Sequence, residues 1–473
     1  MNVITVFKEA SKFSIPTALS AVLSLVLIPV ISRAYPADQY GVINLFYSLG
    51  NFLMLLSLLG LDNAFIRFYQ EPLDGLDKRE AFSLSGTIGL LIVLALTAFT
   101  ACFFADQAST YVFGEANMSA LLLLGVYSIS LIVFRLLSIV TRQELDAAGY
   151  NVQQIALILS NKVLYVLAVL FSSSYFPSIL LMTGLTTVMG VIFLLSKYKD
   201  FLNVGFIKAP KASLSKFFQF ALPTMPAAIL MWLNSTVAKL MLAAFGRYDD
   251  VGIFALAFTI ANAFSVLPAA FSVYWSPFVY KHYKDEQLLI KRMQGVLTVL
   301  AVILVVLFVG FQDVIYLLVG TAYAESKCYF MLVMLFPIQT LLVETVGYGI
   351  YLSNKTHLRL LITALSAATN TLLCFFLIPS IGGLGAAAAL AVSALIMLGG
   401  SVLFGQKYYQ SIGSVPKTTI LYVVIITLCV GNYWASDNVG LRVTLEAAAV
   451  IISCVLYGRE MVHSLKTFIA RRQ

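Results

Sequence analysis

Three cations stand inside runs of apolar residues: Arg135, Lys162 and Lys239. A charge at a lipid-facing helix centre costs about 2.5–3.5 kcal/mol, so each must reach an interface or line a polar cavity. Arg135 is near the end of its run and can snorkel. Lys162 is too far inside to do so easily, and Lys239 lies between these cases. Arg33, in PVISRAYP at the edge of a run, is either a headgroup anchor or a fourth cavity cation. Glu344 is the only acid well inside an apolar run, able to pair with a cavity cation or to titrate. Asp62 and Arg67, close together at the end of another run, form either a local interfacial pair or a gate. Asn161, Asn234, Asn262 and Asn370 place amides inside runs, where hydrogen bonds between helices or contacts to a ligand are their two uses.

Other chemistries are missing their residues. His282, His357 and His463 all lie in short charged connections, which argues against a zinc site or a His-based triad. Cys102, Cys328, Cys374, Cys429 and Cys454 are isolated, with no CxxC spacing, and read as small buried hydrophobes. No catalytic or metal-ligating set is expected, and no cofactor.

The elements that must hold these groups follow from composition. Of 473 residues, 60% are hydrophobic and 11% charged, against roughly 45–50% and about 25% in a soluble domain. With a mean hydropathy of +0.92, too little polar surface exists to cover soluble cores. The chain reads as an all-α polytopic membrane protein. Its net charge of +8 is spread between apolar runs rather than in a stripe with aromatics, so no nucleic-acid face is expected.

About 20 apolar residues cross the hydrocarbon core, and the runs provide 14 such spans. They include Phe13–Ser32, Gln39–Leu61, Ala81–Ala105, Ala116–Phe134, Phe217–Ala238, Met293–Gln312 and Thr418–Ser436. Val163–Ser196 is interrupted by SSSYFP (172–177), and Leu360–Gln406 by IPSIGG (378–383). Val251–Tyr280 holds one span ending at a Trp275/Pro277 boundary. The weakest span, Gly440–Tyr457, carries Arg442 and Glu446 at i, i+4 spacing, which suggests a local ion pair. Of the 30 cations, 23 fall at the termini and the even-numbered connections, and four fall in the odd-numbered ones. That bias puts both termini in the cytoplasm. The first run, preceded by Lys8 and Lys12, is longer than a signal-peptide core and reads as a retained helix. No connection is long enough for a folded catalytic head.

The chain also repeats itself. FSIPTALS (13–20) resembles FALPTMPA (220–227), aligning Pro16 with Pro223, and QYGVINLFYSLGNF (39–52) resembles DVGIFALAFTIANAF (250–264), aligning Gly41 with Gly252 and Asn51 with Asn262. Span 1 matches span 7 and span 2 matches span 8, which implies two parallel six-helix lobes facing a cleft. The expected division is a lobe over 1–200, a cytoplasmic link over 201–215, a second lobe over 216–410, and two further spans with a basic tail over 411–473. Pro16, Pro223 and Pro226 favour bends in spans 1 and 7.

At family level, FALPTMPAAILMWLNSTVAKLMLAAFGRYDDVGIFALAFTIAN (220–262) and SPFVY (276–280) resemble spans 7 and 8 of polysaccharide-type exporters. GLDNAFIRFYQE (60–71), RQELDAAGYN (142–151) and LSAATNTLLCFFLIPSIGGLGAAAALAVSAL (365–395) extend the likeness over most of the chain. The sequence is similar to the O-antigen (Wzx-type) flippases of the multidrug/oligosaccharidyl-lipid/polysaccharide exporter (MOP) superfamily. It departs from them where relatives carry an Asp-Arg pair in span 7, since Ala238 and Lys239 stand there.

The resemblance implies transport of an undecaprenyl-diphosphate-linked oligosaccharide, such as an O-antigen unit, across a bacterial inner membrane by alternating access. Lys162 and Lys239 would then hold the diphosphate, with Arg33 or Arg135 at a cleft mouth. Asn161, Asn234, Asn262 and Asn370 would face sugars. Glu344 would be a coupling group, with a proton gradient or membrane potential as the driving force, and Asp62 and Arg67 a gate. Implied partners are the lipid-linked oligosaccharide, membrane lipids and a polysaccharide polymerase in the same membrane. Competing readings are a multidrug or cation antiporter of the superfamily, a lipid II flippase, and, in another class, a membrane glycosyltransferase or polymerase.

Overall fold

The computed structural model describes residues 15–197, 199, 209–353 and 355–470, and these are helical almost throughout. Among them the only extended pairing is one bridge, Leu73 to Leu76. Lys8, Lys12, Lys208, Arg471 and Arg472, with most of the 201–215 link, lie outside the described residues. Contacts group the chain into two compact units, Met1–Gly252 and Ile253–Gln473.

Unit 1 starts with α1 (Ile15–Ala34) and α2 (Ala37–Leu58), separated at Pro36. Leu59 and Gly60, both at positive φ, then turn the chain into the short amphipathic α3 (Leu61–Phe68). Next comes α4 (Lys78–Phe103), started by an Asp77–Glu80 capping box that satisfies its first N–H groups. After α5 (Ala105–Phe113), Gly114 at φ +78° ends the helix and leads to α6 (Met118–Gln143). Span 5 begins as α7 (Ala147–Ile158), then widens into a π-helical turn over Leu159–Val163 and tightens to 3₁₀ over Leu164–Leu170. The SSSYFP segment separates it from α8 (Tyr175–Lys197), where the sequence puts a break.

Span 7 is broken at Pro223. α9 (Lys211–Ala221) and α10 (Met225–Ala244) flank a 3₁₀ turn at Leu222–Thr224, because Pro223 cannot donate to the helical ladder. α11 (Tyr248–Asn262) follows. The repeat-related glycines meet here. A Cβ on Gly41 would lie 2.5 Å from the Tyr248 carbonyl oxygen, and one on Gly252 would lie 1.8 Å from that of Ala37. Only glycine permits this backbone-to-backbone crossing of α2 with the start of α11.

One core cluster of unit 1 forms where Leu58, Phe65, Phe82, Leu136 and Phe217 close on one another at the α3 end. Large apolar side chains stay exposed elsewhere, among them Leu91, Leu94 and Phe99 of α4, as expected of a face that lipid covers.

Unit 2 continues through a 3₁₀ turn at Ala263–Ser265 into α12 (Val266–His282). The helix does not stop at the Trp275/Pro277 boundary expected from the sequence. Pro277 is accommodated inside it, Trp275 is buried against Val279 and Tyr348, and the end comes at Lys281 and His282. α13 (Gln287–Leu317) leads to a 3₁₀ segment, Thr321–Cys328, which meets α14 (Phe330–Val346) at 63°. α15 (Tyr348–Leu352), α16 (Thr356–Tyr408), α17 (Val415–Ala435) and α18 (Val439–Ala470) complete the unit.

α16 has 53 residues, about 80 Å at 1.5 Å per residue, far more than the roughly 30 Å of hydrocarbon. It is two helices joined across a kink at Ile381 and Gly382, inside the IPSIGG break. Among the described residues twelve helices are long and apolar enough to span, or thirteen with the bent pair, and dividing α16 at its kink adds one more, in keeping with the fourteen read from the sequence. The chain is an all-α membrane fold.

α13, α17 and α18 are knit by buried polar contacts. Gln312 and Asn432 exchange amide hydrogen bonds at 2.9 and 3.1 Å. Arg442 does not make the expected local salt bridge with Glu446. It donates to Asp313 on α13, while Lys327 bridges Asp313 and Asp437 at 3.1 and 3.0 Å, so the carboxylates of neighbouring elements outcompete the one on its own helix.

Candidate functional site

Lys162 sits in the π-helical turn of span 5, where the widened helix changes the direction of its side chains. Its Nζ donates to Ser24 Oγ at 2.6 Å and to the Ser20 carbonyl at 3.3 Å, both on α1. These acceptors are neutral, so they orient the ammonium without cancelling its charge. Beside it Asn161 accepts from Thr186 Oγ1 on α8 at 3.2 Å, a contact between helices. Spans 1, 5 and 6 therefore converge on one polar locus inside unit 1.

Lys239 is 7% exposed in α10, and its Nζ donates to Ser48 Oγ of α2 at 2.9 Å. Five residues earlier on the same helix, Asn234 is buried. Stacking of Phe52 on Trp232, with centroids 4.4 Å apart, reinforces the α2–α10 contact. Sequence reading does not single out the hydroxyl partners Ser24 and Ser48, or Ser20, whose carbonyl accepts from Lys162. Small hydroxyl residues interrupting apolar runs are the signal for them, since such residues collect where helices meet.

Arg135 is paired with Asp62. Its Nε and Nη2 both donate to Asp62 Oδ2, at 2.9 and 2.7 Å, fixing α6 to α3. Asp62 is 10% exposed in this pair and Arg135 35%. The local pairing of Asp62 with Arg67 is not formed. Arg67 points to solvent and pairs with Glu71 at 2.8 Å, one helical turn on, because the buried carboxylate is already taken. Arg33, in the last turn of α1, is exposed.

In unit 2 Glu344 is in the last turn of α14, just before the break at Gly347, rather than in the middle of a continuous helix. It lines an open cavity of about 360 Å³ with Ser265, Ser272 and Thr340. Asn262 accepts from Ser265 Oγ at 3.2 Å at the edge of this region. Asn370 is fully buried and accepts from Cys374 Sγ, one turn along the same helix. Among the described residues no His, Cys, Asp and Glu groups are arranged to hold a metal ion.

The arrangement is thus two lysines held by hydroxyls in one unit and a carboxylate cavity in the other, with no nucleophile–base pair among the residues singled out. The sequence profile of the family described as "Polysaccharide biosynthesis protein" matches residues 7–278. The chain belongs to that family. The match spans the repeat, both lysines and the Asp62–Arg135 pair, which bears out the likeness to polysaccharide flippases read from the motifs. Among solved structures, the lipid II flippase MurJ in an inward closed conformation is similar, with a TM-score of 0.65 and 17% identity over 95% of this chain and 99% of that one. A multidrug resistance MATE family transporter of the MOP superfamily, inward-facing, is similar at a TM-score of 0.50 and 14% identity, over 89% of this chain and 96% of that one. At such identities the likeness is one of fold. No curated protein matches the sequence.

Proposed function

We propose that this member of the polysaccharide biosynthesis family is a flippase for a polyprenyl-diphosphate-linked oligosaccharide, working by alternating access in a bacterial inner membrane. The observation that carries this reading is Lys162, an ammonium inside a membrane span held by a serine hydroxyl and a carbonyl. Moving a diphosphate across about 30 Å of hydrocarbon needs cations that replace its hydration, and a lysine whose charge is not spent on a carboxylate can do so. Lys239, which donates to Ser48, is the second cation assigned to this role. Arg135 acts differently in this reading, as the clasp that holds α3 to α6 through Asp62. The MOP-type fold supports a transporter rather than an enzyme. Glu344 in its hydroxyl-lined cavity is the group we assign to coupling, driven by a proton gradient or the membrane potential.

Lys162→Ala should abolish surface polysaccharide in a host that depends on this protein while its abundance in the membrane stays normal. Wild-type export by both Lys162→Ala and Lys239→Ala would overturn the cation-cleft reading. Mass spectrometry of lipids co-purified with the protein should find a polyprenyl-diphosphate oligosaccharide, and a bound cationic drug in its place would favour an antiporter.

A further inference from the structure

A second cavity lies at the end of unit 1 opposite Asp62, and the cation sites do not use it. It holds about 400 Å³ and is walled by the first turns of α2 and α11, the turn between α5 and α6, and the start of α8. Asp38, Glu115 and Asp249 face it, and no Lys or Arg is among its lining residues.

Two of the carboxylates are held in place by other side chains. Gln39 Nε2 donates to Asp38 Oδ2 at 2.6 Å, and the Gln39 amide oxygen in turn accepts the Tyr175 N–H at 2.9 Å. The Tyr175 hydroxyl donates to Glu115 Oε1 at 2.5 Å and accepts from Asn117 Nδ2 at 2.9 Å. One wall is aromatic. The Tyr248 hydroxyl donates to the Thr110 carbonyl at 2.7 Å, which fixes a ring that a Cβ on Gly114 would approach to 3.4 Å. Phe113 stacks on Tyr175, with ring centroids 5.6 Å apart and the rings nearly parallel.

Acids in a first helical turn offset the helix dipole, which accounts for the presence of Asp38 and Asp249. It does not account for Glu115, for the supporting hydrogen bonds, or for the space they enclose. Preoriented groups backed by such bonds are the mark of a built site, and the volume is within the roughly 300–1,000 Å³ of small-molecule pockets. Ionised carboxylates only accept hydrogen bonds, so the complementary ligand is ring-sized, rich in O–H donors, and has a C–H face for Tyr248.

The geometry points to a saccharide-binding subsite at this end of unit 1. The assignment rests on the flippase reading. With the termini cytoplasmic this end faces outward, where a translocated glycan is held before release.

The test is saturation-transfer NMR on the full-length protein in nanodiscs, with galactose, N-acetylglucosamine, rhamnose and maltose as probes. At least one should receive saturation, and the Glu115→Gln/Asp249→Asn double variant should bind it about tenfold more weakly, as loss of charge-assisted bonds requires. Tyr248→Phe, which keeps the ring, should bind better than Tyr248→Ala. Silence from all four sugars, an unchanged signal in a correctly eluting double variant, or binding of spermidine in place of any sugar would each overturn the proposal. Lys162→Ala separates the two readings. It should lose export and keep the saccharide signal, whereas normal export in that variant defeats the flippase reading whatever the sugars do.

Discussion

At the residue scale, the partner of each cation decides its use. Lys162 is held by neutral acceptors, while Arg135 is paired with Asp62. Removing one partner of a largely buried ion pair leaves an uncompensated charge, a penalty of about 3–5 kcal/mol when burial is complete. Arg135 is a third exposed, so Asp62→Asn should cost about 3 kcal/mol or less, seen as a lower midpoint of thermal unfolding in detergent. The exchanged pair Asp62→Arg with Arg135→Asp should recover part of that loss, and a double variant no better than the worse single one would refute the clasp. That both residues matter was legible in their positions at the ends of apolar runs. Their partnership was not, because Arg67 offered a nearer cation in the sequence.

At the element scale, breaks in helices make the site. Span 5 widens at Lys162, span 7 bends at Pro223, and span 10 stops at Gly347 beside Glu344. Proline and the SSSYFP and IPSIGG segments announced some of these in advance, since missing donors and small residues weaken a helix in any context. The π-helical turn at Leu159–Val163 contains no proline or glycine, and its Lys162 donates to Ser24 of α1. The glycine crossing yields a prediction of its own. Gly252→Val has no room beside the Ala37 carbonyl, so the helices must separate, at a cost of about 1–3 kcal/mol for overpacking. A thermal midpoint equal to wild type in both Gly252→Val and Gly41→Val would show that α2 and α11 do not depend on this contact.

At the scale of the whole molecule, charge sets direction. The 23 cations at the termini and even connections predict that a C-terminal green fluorescent protein fusion is bright and a C-terminal alkaline phosphatase fusion inactive. The same bias predicts that a cysteine at Glu115 reacts with an impermeant maleimide added to intact spheroplasts, while one at Lys355 reacts only after permeabilisation. Labelling in the opposite sense would invert the topology and with it the direction assigned to transport. The apolar side chains left exposed on α4 and α16, such as Phe99, Leu372 and Phe376, need no such test to be understood, because a lipid-facing belt is where they are stable.

The sequence by itself determined the all-α membrane class, most of the spans and the family, because apolar length and local motifs are properties of a chain read in order. Tertiary structure alone decided which groups meet. Arg135 finds Asp62 across 73 positions, Lys162 finds Ser20 across 142, and Lys239 finds Ser48 across 191. Such choices depend on which helix faces are pressed together, and a buried charge takes the nearest acceptor in space rather than in sequence.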